Sequence, residues 1–491
     1  MAKGNEAYDI WWHKAGAVEK KVAFDFCGDY LAFLNSCKTE REVTAYTVAL
    51  LEKNRFKPLD KILNEAKGQT GCLLQPGDKV YLDVRGKAVL AAIIGKEPAA
   101  QGVNAVASHI DSPRLDFKQT PFYEDTHMVL AKTHYYGGIK KYQWVCLPLA
   151  LHGVVFLKDG GKVEINIGEK EGEPCFVITD LLPHLAQKQM EKKVAEAITG
   201  EGLNVLLGSM PAEKAEADDK EKAEAEKDEK DEKECGQLVK ANLMRILKET
   251  YGIEERDFVS AEIEVVPAQP ARDVGFDRSL IGGYGQDDRV CSYAALKALL
   301  DIEGIPQKTA VLYFSDKEEV GSQGNTGAQS ANLGNFLAEL CAATAESYND
   351  LMARRCYAAS HLLSADVAAA VDPNYKDVQD PLNANYIGKG MVLEKYTGAR
   401  GKNGGNDANP EFIAALRQLF DGEEIAWQTG ELGKVDLGGG GTVAAFMANM
   451  GMQVIDCGVP MLSMHSPFEI VSKGDIYNTY KAYKAFLQSF K

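Results

Sequence analysis

The chain has 491 residues, 45% of them hydrophobic and 26% charged, and a formal net charge of −16. That length predicts two or three domains with ample apolar material for a large core, and the acidic balance argues against non-specific nucleic-acid binding. No run approaches the roughly eighteen unbroken apolar residues of a membrane span, and the opening MAKGNEAYDIWW lacks the basic-then-apolar pattern of a secretion signal. A cytoplasmic protein without membrane contact is therefore expected. Ten scattered cysteines with no CxxC pair are read as reduced thiols, mostly in the core.

In chain order, Thr39 and Glu42 form a capping-box pattern ahead of Val43, Tyr46, Leu50 and Leu51 at helical spacing, with Asn54 as the stop. Pro76-Gly77-Asp78 is a turn signal, and Val80–Val84, Val89–Ile94 and Val103–Ala107 read as strands. From 117 to 259 the texture becomes glycine turns and short β-like runs such as Val154–Leu157 and Lys162–Ile167. This stretch includes a charged run, 213–234, with twelve acids and six lysines. The run has nothing apolar to bury and is expected to be a solvated helix or surface loop. Beyond 260, Val311–Phe314 and Val367–Val371 read as buried strands, and Arg289–Leu300 and Pro410–Leu419 as helices. Strands alternating with helices predict an α/β domain with a mostly parallel sheet covered on both faces. It is assembled from 1–116 and 260–491, with a β-rich domain, 117–259, inserted between them.

Five segments gather the chemistry: ASHIDSPR (107–114), GGYGQDDR (282–289), SDKEEVGS (315–322), SADVAAAVDPNY (364–375) and MHSPFE (464–469). Each sets His, Asp or Glu beside an apolar run, and ligands of open α/β sheets collect at the carboxyl ends of strands. Singly, each has an ordinary explanation as a turn, an N-cap or a solvated pair. Five in one chain, converging on one sheet edge, point to a shared site.

The order and approximate spacing of SHIDSPR, DDR, DKEEVGS with TGA close behind, SADV…DPNY and MHS resemble the aspartyl aminopeptidase family, which includes vacuolar aminopeptidase I. The resemblance implies a discontinuous zinc-exopeptidase domain with a mixed sheet flanked by helices, plus an inserted β-rich domain for dimerisation or as a lid. It implies two Zn2+ per chain, with Mn2+ or Co2+ as alternatives, and peptide substrates cut at the N-terminus. His109 and Asp366 would hold one metal, Glu319 and His465 the other, and Asp287 would bridge them, with Asp288 the substitute candidate. Glu318 would be the general base and Asp111 the carboxylate orienting His109. The resemblance further implies dimers assembling into a dodecamer, with His184 of the PHL element reaching a neighbouring subunit's site.

Simple chemistry agrees with that division. In an extended segment Glu318 and Glu319 point to opposite sides, so one ligates while the other faces substrate, whereas His109 and Asp111 share a side. Two zinc ions against Asp287, Glu319 and Asp366 leave one positive charge, which favours ionised water. Imidazole and carboxylate donors without thiolate suit zinc. Related dinuclear deacylases or carboxypeptidases, and a non-catalytic assembly protein of peptidase descent, are the competing readings. The family's usual histidines within the SADV segment are replaced here by Ala369 and Asp372, the stretch 145–153 reads VCLPLALHG, and 394–412 departs from the aspartate-preferring pattern. Its cations, Lys395, Arg400 and Lys402, stand among glycines, so a neutral or apolar N-terminal residue is expected over an acidic one.

Overall fold

A computed structural model describes residues 10–66, 72–213 and 237–491. The charged run lies outside the described residues from 214 onward. The chain divides into two compact units, Met1–Ser112 with Ala271–Lys491, and Pro113–Pro270.

The first unit opens with helices at Ala17–Ser36 and Glu40–Lys53. The second begins in a complete capping box: the Glu42 N–H donates to Thr39 Oγ1 and the Thr39 N–H to Glu42 Oε2. Such a cap contributes about 1 kcal/mol by pairing donors the helix cannot satisfy. Asn54 closes the helix, its side-chain amide donating to the Leu50 carbonyl.

The nine-stranded sheet of this unit runs Lys57–Pro58, Lys79–Val84, Ala88–Ile93, Thr309–Ser315, Val103–His109, His361–Ser364, Gln453–Gly458, Met391–Glu394 and Trp427–Thr429. The four strands from Thr309–Ser315 to Gln453–Gly458 are mutually parallel, with antiparallel partners on either side. The sheet is thus mixed, with a parallel centre. Both its faces are covered. Val106, Leu312, Leu363 and Ile455 pack with the helices Gln286–Leu300 and Lys473–Ser489. Ala105, Val311, Leu362 and Val454 point the other way, onto Asn332–Ala343 and Ala444–Asn449. Two-sided burial is why these strands read as unbroken apolar runs.

One predicted strand is corrected. In the stretch 367–371 only Ala368–Ala369 forms a strand, in a second sheet, with Ala370 bridging to Asn385, while the central strand here is His361–Ser364. Its sequence, HLLS, is too short and too polar at its ends to stand out. The second sheet has five short strands: Arg272–Val274, Leu280–Gly283, Glu469–Ser472, Pro460–Leu462 and Ala368–Ala369.

The other unit is built on a six-stranded antiparallel sheet ordered Lys162–Ile167, Leu149–Phe156, Ala261–Pro267, Arg114–Asp125, Met128–Tyr136 and Val205–Gly208. Buried Arg114 pairs there with Glu264 at 3.0 Å and lies over the Tyr136 ring.

Candidate active site

Three parallel strands end together. Val103–His109 finishes on His109, which lies beside Ser315 of its neighbour, three residues before Glu318. His361–Ser364 finishes two residues before Asp366. Asp287 and Asp288 occupy the first, non-helical turn of Gln286–Leu300, and His465 sits in the loop between Pro460–Leu462 and Glu469–Ser472.

Asp287 is the centre of the arrangement. Its Oδ1 is 3.2 Å from His109 Nε2 and its Oδ2 is 3.2 Å from His465 Nε2. Around this axis, Asp366 Oδ1 is 3.8 Å and Glu318 Oε2 4.0 Å from His109 Nε2, and Glu319 Oε2 is 3.5 Å from His465 Nε2. The two glutamates therefore face different histidines. Alternation along an extended chain is not the reason, because Glu318–Val320 is a 3-10 turn entered through Lys317 at φ 67°.

Asp111 does more than its expected part. The closest partner of His109 Nδ1 is the Asp111 carbonyl at 3.0 Å, with the carboxylate at 3.4 Å. The carboxylate also accepts the Glu318 N–H at 3.1 Å and the Glu319 N–H at 3.2 Å, tying the glutamate turn to the histidine strand. Ser112 Oγ donates to the Asp287 carbonyl at 2.7 Å, and buried Arg289 donates to Ser112 Oγ and to the Cys37 carbonyl. Neither Asp287 nor Asp288 serves as a helix cap. Exposed His184 lies in the short turn Pro183–Leu185 of the other unit.

The charges are strongly coupled. Burial pushes the Glu318 carboxyl up to about 8, reinforced by Asp366, Asp111 and Asp287 against the pull of His109. Burial opposes a charge on His465, but its hydrogen bond to Asp287 and the nearby Glu319 lift it to about 10. Burial likewise raises Asp287, yet the two imidazoles hold it below the usual carboxylate range.

The donors fit a divalent metal. Glu319 Oε1 and both Asp288 carboxylate oxygens are buried without a hydrogen-bond partner, a costly state that a cation relieves. Ligand atoms of His109, Asp287 and Glu319 lie within 4.8 Å of one another, as do those of His109, Asp288 and Asp366. Imidazole nitrogens with carboxylate oxygens and no thiolate suit zinc. Asp288 enters this set although the sequence pattern offers it only as a substitute for Asp287. Glu469, the last residue of the fifth segment, is also drawn in, accepting the backbone N–H of both His465 and Asp287. Nothing in the sequence separates it from an ordinary strand glutamate, because its partners are backbone amides, which no residue type announces.

Residues 33–487 match the family model described as aminopeptidase I zinc metalloprotease (M18). The chain belongs to this M18 family of zinc metallopeptidases. A probable M18 family aminopeptidase 1 from Clostridium acetobutylicum is 49% identical over 482 residues, spanning 98% of each chain. The crystal structure of the Thermotoga maritima M18 aminopeptidase superposes with a TM-score of 0.87 at 43% identity, covering 97% of this chain and 98% of that one. The mApe1 dodecamer of S. cerevisiae shares the fold at a TM-score of 0.71 and 20% identity, covering 96% of this chain and 97% of that one. This M18 member is a metalloaminopeptidase, which sets aside the deacylase, carboxypeptidase and non-catalytic readings. No helix among its described residues is long and apolar enough to cross a membrane.

Proposed function

We propose that this M18 aminopeptidase releases N-terminal residues from peptides with two zinc ions, held by His109 and Asp366 on one side, by Glu319 and His465 on the other, and by Asp287 between them. The observation that carries the reading is the Asp287 carboxylate, with one oxygen 3.2 Å from each imidazole. When bound, the zinc ions supply Lewis acidity toward the scissile carbonyl and acidify water. Glu318 takes up a proton from the attacking water at its carboxylate and returns it to the leaving amine. Its carboxyl, shifted towards neutrality, is matched to that task. Asp111 holds Glu318 in place through its backbone N–H, so the base and the ligand Glu319 move as one turn. The surrounding carboxylates favour a free ammonium, which directs cleavage to the chain end.

In the first-residue pocket we infer a preference for neutral or apolar side chains. Lys395 and Lys402 share the Asp407 carboxylate, which engages both ammonium groups and offsets one of their two charges. Arg400 is exposed and lines a small cavity with Tyr396, Thr397 and Glu431. Residues 117–259 are proposed to form an oligomerisation or lid element of a homo-oligomer built from dimers, up to a dodecamer, with His184 serving a neighbouring site. A cytoplasmic location is proposed with it.

Metal analysis of the purified enzyme together with matched leucyl, methionyl, aspartyl and glutamyl substrates tests the reading. Two zinc ions per chain and a higher kcat/KM for the neutral pair are expected. Manganese or cobalt at the same stoichiometry changes the metal and leaves the ligands. A single metal per chain overturns the dinuclear reading. A tenfold preference for the acidic pair, about 1.4 kcal/mol in transition-state stabilisation, overturns the specificity.

A further inference from the structure

Glu469 starts the strand Glu469–Ser472 at the foot of the His465 loop, and it is 1% exposed. Its Oε1 accepts the His465 N–H at 2.8 Å and its Oε2 accepts the Asp287 N–H at 3.1 Å. The two carboxylate oxygens are thus divided between two backbone positions that are far apart in the chain. His465 has φ 62°, in the left-handed region that only a few per cent of non-glycine residues occupy, and Ser463 in the same loop has φ 57°. A loop in that conformation needs an external constraint to persist. The Glu469 side chain supplies one by closing the loop from His465 back to the strand. The glutamate's own backbone is fixed in turn: its carbonyl accepts from Gln286 Nε2 at 2.7 Å, and Gln286 Oε1 accepts from Tyr30 at 3.1 Å. Glu469 also pairs with Gly283 across the strand boundary.

We infer that Glu469 is a positioning residue for the metal centre: its carboxylate sets the spacing between His465 and Asp287 by holding both backbones at once. The inference rests on the proposed roles of His465 and Asp287 as ligands. It does not place Glu469 on the metal, since both its oxygens are engaged by N–H donors. A glutamine there keeps the shape but offers one acceptor oxygen and an NH2 group. Only one of the two N–H groups can then be accepted, while the other meets a donor. The ligands remain present but lose their common reference.

The test is zinc binding to the metal-stripped full-length enzyme by competition with a chelator, for wild type, Glu469→Gln, Glu469→Asp, His465→Ala and Asp287→Ala. Glu469→Gln is expected to weaken zinc at the site containing His465 by ~10–100-fold, the usual range for groups that orient metal ligands. The melting temperature of its metal-free form is expected to stay within about 2 °C of wild type. With cobalt(II) as probe, its visible absorption should shift, because that spectrum reports ligand geometry. Glu469→Asp, which keeps both acceptors at shorter reach, should recover part of the affinity. Unchanged zinc affinity in Glu469→Gln, with a lowered metal-free melting temperature, assigns the residue to fold stability alone and overturns the inference. If His465→Ala and Asp287→Ala themselves leave zinc binding intact, the ligand reading fails instead, which separates the two outcomes. Should Glu469→Gln not fold, hydrogen exchange on the unaltered metal-free chain decides. Slow, matched exchange at the His465 and Asp287 amides is expected, and loop-like exchange at His465 overturns the inference.

Discussion

The two histidines of the candidate active site are held in opposite ways. His109 ends a central parallel strand, its side chain 2% exposed and its backbone paired in the sheet. His465 stands in a loop at positive φ, its side chain 35% exposed, and it is tied to the rest of the site through Asp287, Glu319 and Glu469. One half of the site inherits its geometry from the core, and the other from a few polar contacts. A metal held by these residues would be anchored rigidly at one end and adjustably at the other, with Asp287 as the shared reference.

The largest expected effect lies between the halves. Glu318→Gln removes the proton acceptor and keeps its shape, so turnover should fall by ~10²–10⁴-fold or more with metal content unchanged. Metal loss, or retained activity, would mean that Glu318 and Glu319 exchange roles. Next comes the asymmetry itself. Asp287→Ala should cost both metals, while His109→Ala and His465→Ala should each empty a different site, as read by plasma emission on purified variants. Two metals retained in Asp287→Ala would pass the bridging role to Asp288, whose carboxylate lies with the His109 imidazole and the Asp366 carboxylate in one group.

A smaller effect concerns the acids behind the His109 half. Burial pushes the Glu394 carboxyl up to about 8, with Asp456 and Asp366 adding to the shift against a hydrogen bond from Asn385. A carboxyl whose folded value exceeds its unfolded one adds stability at low pH and loses it as pH rises through the folded value. Wild-type unfolding free energy from denaturant titration should therefore include a component that falls between about pH 4.5 and about pH 8. Glu394→Gln should flatten that component, and an unchanged pH slope would show that Glu394 titrates normally. The smallest expected effect belongs to a third histidine, exposed His184 in the other unit. Mixing inactive His184→Ala chains with inactive Glu318→Gln chains should restore part of the activity. No recovery after confirmed subunit exchange returns His184 to the role of a surface residue.

The contrast between the halves also marks what could be read from the residues. Strands buried on both faces announce themselves as apolar runs, so Val103–His109 and Thr309–Ser315 were legible, and with them the helix capped by Thr39 and Glu42. His361–Ser364 was not, because four residues carry too little pattern, and the apolar Val367–Val371 took its place in the reading. Residue types and order brought forward His109, Asp287, Glu318, Glu319, Asp366 and His465, which the fold gathers around one carboxylate. The contacts of Asp111 and Glu469 stayed hidden because both carboxylates answer to backbone amides, and no residue type signals an amide's position. The reason given for separating Glu318 from Glu319 also failed, since a 3-10 turn performs the separation expected of an extended chain.

The position of Val103–His109 has a consequence for synthesis. Its neighbours are Thr309–Ser315 and His361–Ser364, so its first partner emerges roughly 200 residues later. At ~5–20 residues per second on the ribosome, that is a wait of about 10–40 s. For that time the nascent chain carries a strand destined for the core with both edges unpaired, while the residues of the intervening β-rich unit are being translated. Early folding of that unit, whose strands are contiguous in the chain, leaves the unpartnered strand as the segment most in need of chaperone cover. Chains truncated before residue 309 are expected to be captured by chaperones or to aggregate, even though two of the five proposed metal ligands, His109 and Asp287, have been made.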